Sequence, residues 1–138
     1  MLLTLKLAVS LIVLFTVIAL VLYRVDEARP SNTSVPVITS RGSQIVRVVY
    51  HSSIANLLRR LSFEQLYAIT FWNRIYVASG FLVPSGIQHE VEHVRQWHRM
   101  GPVGFPVRYL IDLFRFGYRH APLEVAARRA SGDVPWFR

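Results

Sequence analysis

His89-Glu90-Val91-Glu92-His93 constrains this chain more than any other stretch, because it only makes chemical sense on a helix. Two histidines four residues apart project from one helix face, close enough for both imidazoles to reach a single metal ion. The glutamate after the first histidine lies beside them, where it can take a proton from a metal-bound water. The flanks agree with a helix. Ser85 followed by Gln88 forms a capping box, and Gly101-Pro102 supplies a stop, so the helix is predicted from about Gly86 to Met100.

A metal bound for catalysis takes three protein ligands and keeps a fourth position open, so a third ligand must come from elsewhere. The candidates downstream are His98, Asp112, His120, Glu124 and Asp133. His98 follows His93 by five residues, which sets it well round the helix and away from the pair. Phe105 to Tyr118 reads as a second helix, with Pro106 suited to its first turn. Its polar residues, Arg108, Asp112, Arg115 and Arg119, form one stripe, which leaves a helix either sandwiched in the core or leaning on a bilayer. A last helix begins at Pro122 and fades before Gly132. A chain reversal through 105–118 would return Glu124 of that helix to the histidines, which makes Glu124 the expected third ligand. Gln96 reads equally well as a partner for His93 and as a surface amide.

The run His-Glu-x-x-His-x-x-Gln (His89, Glu90, His93, Gln96), with Pro-Leu-Glu-x-x-Ala-Arg from Pro122 to Arg128, resembles small bacterial zincin-type metallopeptidase domains. Thr70 and Ile75-Tyr76-Val77 stand where such domains carry a Thr-x-x-x-x-Ile-Tyr-Val strand. The resemblance covers roughly residues 57–130. It implies zinc (Zn2+) held by His89, His93 and Glu124, Glu90 as general base, and Arg128 as a supporting partner. Ala121 and Ala126 depart from the pattern, which has Asn and Glu there.

The rest of the chain sets the context. Leu2 to Tyr23 is almost wholly apolar, and a helix of that length reaches about 33 Å, enough to cross a bilayer. Residues 1–23 therefore read as a transmembrane anchor in the lipid bilayer. Residues 24–41, with Pro30 and Pro36, read as a juxtamembrane linker, and residues 42–138 as the zincin-like domain. Together with the resemblance, this predicts a single-pass protein of the bacterial inner membrane, with Arg24, Arg29, Arg41 and Arg47 favouring a cytoplasmic domain. The net charge of +8 rests on arginines spread along the chain, which disfavours a nucleic-acid-binding module. Gln44–Tyr50 and Arg74–Val77 read as strands, Ser52 or Ser53 as the cap of a helix carrying Ile54, Leu57, Leu58 and Leu61, Ser62 with Gln65 as a second capping box, and Phe81–Val83 as extended.

The expected fold class is α+β and helix-dominated, with a short β-sheet after one transmembrane helix. Two functions follow. One is a membrane-anchored zinc hydrolase acting on peptide substrates, with His120, Tyr118 or Tyr109 as possible oxyanion donors. The other is a non-catalytic accessory subunit that uses the same domain for contacts within a membrane protein complex.

Overall fold

The β-branched run at residues 45–49 pairs on both of its edges, and this places it at the centre of a four-stranded sheet. The computed structural model describes residues 2–29, 32–61, 66–80 and 84–132. In chain order the elements are α1 (Leu2–Glu27), β1 (Thr33–Thr39), β2 (Gly42–Val49), α2 (Ser53–Leu61), β3 (Ala68–Phe71), β4 (Arg74–Val77), α3 (Pro84–His120) and α4 (Pro122–Ala130). The sheet order is β1-β2-β4-β3. The β1/β2 and β3/β4 pairs are antiparallel hairpins, and β2 and β4 run parallel.

Alternation along the strands gives the sheet two apolar faces. On one, Val37, Val46, Val48, Ile75 and Val77 meet Val91 and Val94 of α3. On the other, Val49, Tyr76 and Ala78 pack with Ala55 of α2 and Tyr23 of α1. The α3 side carries the histidines, so the central strands form the floor on which the candidate site is built.

The transmembrane anchor and the single-pass membrane location are overturned: among the described residues, no helix is long and apolar enough to cross a membrane. The helix also does not end where the sequence reading placed its end. α1 does not stop at Tyr23 but runs to Glu27, and its last turn is wired into the domain. Asp26, fully buried, accepts hydrogen bonds from Ser52 Oγ (2.6 Å), Ser53 N (2.7 Å), Ile54 N (3.2 Å) and Arg29 Nε (3.3 Å). It thereby caps α2 from a distant part of the chain. Glu27 pairs with Arg47 at 3.1 Å and Arg74 at 2.9 Å.

Residues 24–41 are likewise more than a linker. They carry the last turn of α1 and all of β1, where Pro36 is accommodated because β1 is an edge strand. Ala68 begins β3. The Ser62–Gln65 capping box and Phe81–Val83 lie outside the described residues.

Burial alone would raise the Asp26 carboxyl, yet the bonds from Ser52, Ser53, Ile54 and Arg29 outweigh it and hold Asp26 below the usual carboxylate range. A depressed carboxylate stabilises the fold above its unfolded value and loses that contribution as pH falls through its folded value. Asp26→Ala leaves two α2 amides uncapped and is expected to cost about 2–3 kcal/mol in chemical denaturation at neutral pH, with the deficit shrinking in acid. An unchanged midpoint would remove Asp26 as the tie between α1 and the domain.

Candidate metal centre

His89 and His93 sit one turn apart in the first half of α3, with His93 buried and His89 half-buried at its mouth. The helix cannot continue straight past Gly101, whose φ of 81° and ψ of 174° belong to the left-handed side of conformational space. A side chain there would be strained, so glycine suits this break. Beyond it the chain folds back. Phe105 packs against Trp97 (4.6 Å between ring centroids) and against His93 (6.0 Å), and Tyr109 also lies 6.0 Å from His93. A second left-handed glycine, Gly117 at φ 68°, turns the chain again towards α4. Pro122 opens that helix, and Glu124 in its first turn points back at the histidines, 1 % exposed.

The reversal expected from sequence therefore occurs, and His89, His93 and Glu124 form a group that could hold a metal ion. The two Nε2 atoms are 3.1 Å apart. His89 Nε2 lies 3.3 Å from Glu124 Oε2, and His93 Nε2 lies 3.3 Å from Glu124 Oε1. An ion bonded at about 2.0–2.1 Å with tetrahedral angles spaces its ligand atoms roughly 3.3 Å apart; the nitrogen–nitrogen distance and the two nitrogen–oxygen distances are close to that, with the two nitrogens facing different oxygens of Glu124.

Gln96 decides which nitrogen faces the site. It is 1 % exposed, and its Nε2 donates to Leu123 O at 3.0 Å. Its Oε1 then faces His93 Nδ1 at 2.9 Å, which makes Nδ1 the donor and leaves the Nε2 lone pair turned towards His89. Of the two sequence readings of Gln96, this supports the partner of His93 and not the surface amide. His89 is not fixed in the same way: with its proton on Nε2 it donates to the His93 Nε2 lone pair across 3.1 Å, and a metal ion would take the place of that proton. Glu124 supplies the acidic part of the group. Its Oε1 accepts from Tyr109 Oη at 2.6 Å, but its buried Oε2 accepts no hydrogen bond. That oxygen lies 3.3 Å from His89 Nε2 and 3.9 Å from Arg128 Nη1, so positive charge beside it compensates its burial, as a metal ion would.

The protonation states tell the same story. Burial would lower His93, but hydrogen bonds to Glu124 and Gln96 and the charges of Glu90 and Glu124 push it up to about 9. Burial would raise Glu124, but the imidazoles of His89 and His93 and the Tyr109 hydroxyl hold it well below the usual carboxylate range. In the metal-free chain a proton fills the role of the cation.

Glu90 is buried and stands outside the ligand trio; its Oε2 accepts from Thr70 Oγ1 at 2.7 Å. No family model matches the chain, and neither a curated protein nor a solved structure matches it.

The other candidates go elsewhere. His98 bonds Asn73 Oδ1 at 2.5 Å beneath Trp72, Asp112 pairs with Arg108 at 2.9 Å, and His120 is exposed. Asp133 lies outside the described residues. Glu92 faces away, 3.2 Å from Arg95. Arg128 stands 3.9 Å from Glu124 Oε2 and donates to the Arg119 carbonyl. Of the possible oxyanion donors, Tyr109 is committed to Glu124. Tyr118 is exposed over much of its ring, yet its phenol is pushed up by burial of the hydroxyl end and by the charges of Glu124 and Glu90.

The Tyr109 and Thr70 contacts were not read from the sequence. The resemblance singles out Thr70, and Tyr109 stands among the possible oxyanion donors, but no local pattern announces their bonds to Glu90 and Glu124.

Two outcomes follow. Gln96→Leu keeps the ligands but frees the His93 ring, and should weaken metal binding about 10–100-fold in a competition titration; unaltered affinity would make Gln96 a packing residue only. In the metal-free protein the raised His93 contributes stability that is fully present below about pH 6.5 and lost as pH rises through about 9. Thermal melts should therefore fall across that window, and His93→Gln should flatten the fall.

Proposed function

We propose that this protein is a zinc-dependent hydrolase acting on peptide bonds. The observation that carries the reading is the buried group of His89, His93 and Glu124, whose two Nε2 atoms stand 3.1 Å apart and each 3.3 Å from one of the two carboxylate oxygens. Two imidazoles and one carboxylate are a donor set that suits zinc and leaves a fourth position open. The resemblance of His89–Gln96 and Pro122–Arg128 to zincin-type domains points the same way.

Zinc held there would acidify a coordinated water and polarise the substrate carbonyl. The chain's own residues supply the rest. Glu90 takes up the proton and delivers it to the leaving amine, and its carboxylate is steered by the Thr70 hydroxyl. Gln96 and Tyr109 orient His93 and Glu124. Tyr118, whose hydroxyl end is buried beside Glu124, is the remaining phenol close to the group.

The competing reading is a non-catalytic subunit that keeps the metal for stability, and the exposed apolar residues Val107, Leu110 and Phe114 favour a partner of some kind. Glu90→Gln separates the two. It should retain stoichiometric zinc while hydrolysis of a mixed peptide library falls at least about 10²–10⁴-fold against the zinc-loaded wild type. Zinc-loaded wild-type protein without any hydrolysis above Glu90→Gln would favour the subunit.

A further inference from the structure

We propose that the outward face of α3 beyond Gly101 docks an acidic amphipathic helix of a partner protein. The inference is independent of the metal reading, since none of its residues belongs to the centre.

This half of α3 is apolar on two opposite sides. Phe105 and Tyr109 turn inward over His93. Val103, Val107, Leu110, Ile111 and Phe114 turn outward, and Phe114 is 90 % and Val103 72 % exposed. At about 100° per residue these five fall within a stripe roughly 100° wide. A contiguous exposed apolar stripe of this kind marks an interaction site. Its outer row, Val103, Val107, Leu110 and Phe114, follows spacings of four, three and four, which is the seam that a second helix packs against. The opposite side of α3 is fixed on the domain, so rotation cannot hide the stripe.

Charge selects the occupant. Residues 101–120 hold one acid, Asp112, and it is buried and taken by Arg108. Arg108 and Arg115 line one flank of the stripe, and both are exposed. A second copy of this chain would bring arginines against arginines with no acid to offset them. A helix with leucines at three- and four-residue spacing and glutamates on its flank satisfies both the seam and the charges.

The full chain contains no cysteine, so Val103→Cys gives a single thiol for an environment-sensitive dye at one end of the stripe. The probes are a synthetic leucine-seam helix flanked by glutamates, the same helix flanked by lysines, and phosphatidylglycerol vesicles. The glutamate helix should bind saturably and at least about tenfold more tightly than the lysine helix. Leu110→Asp should weaken it at least about tenfold with the melting temperature and zinc affinity retained. Arg115→Glu should narrow the preference for the glutamate helix at least about threefold. Absence of binding, equal binding of both helices, a preference unmoved by the charge swap, a response to vesicles alone, or self-association of the labelled chain would each overturn the proposal.

Discussion

The buried Glu124 carboxylate, set against two imidazoles, is the constraint around which the helical half of this protein is organised. A carboxylate at 1 % exposure requires positive charge or donors beside it, and the two imidazoles, with Nε2 atoms 3.1 Å apart, supply the place where a proton or a metal ion would sit. Backbone geometry and aromatic packing bring them together. The left-handed glycines at 101 and 117 fold α3 back on itself, Phe105 and Tyr109 pack the reversal onto His93, and Pro122 starts α4 where its first turn faces the pair. Remove the cation, whether proton or metal, and the assembly holds an uncompensated buried charge.

Around that point the polar contacts form a chain of fixed choices. The Leu123 carbonyl fixes Gln96, Gln96 fixes the His93 tautomer, and the Tyr109 hydroxyl fixes one oxygen of Glu124 while leaving the other bare. Such supporting bonds are what distinguish a built ligand set from histidines that happen to share a helix face. Thr70 extends the pattern to Glu90, which binds this edge strand to the same helix turn.

Much of this was legible in the residues. The spacing of His89 and His93, the stop at Gly101-Pro102 and the helix start at Pro122 are local signals, and each appears where the chain needs it. The return of Glu124 could be inferred because a metal ligand set is incomplete with two histidines. What escaped was non-local. Residues 33–39 looked like a linker because Pro36 and the polar residues argue for irregular chain, yet pairing with Val46 and its neighbours makes them a strand. Leu2–Tyr23 looked like a membrane anchor by composition alone. Asp26 and Glu27, only a few residues on, instead bind the end of that helix into the domain through partners at Arg47, Ser52, Ser53 and Arg74 that no local pattern announces.

X-ray absorption spectroscopy at the zinc edge, on the full chain loaded with one equivalent of zinc, tests the central claim most directly. The account predicts a four-coordinate ion with back-scattering from two imidazoles and two oxygen donors at about 2.0 Å, one imidazole signal vanishing in His93→Gln. An ion surrounded only by oxygens, or a spectrum unchanged by that substitution, would contradict it.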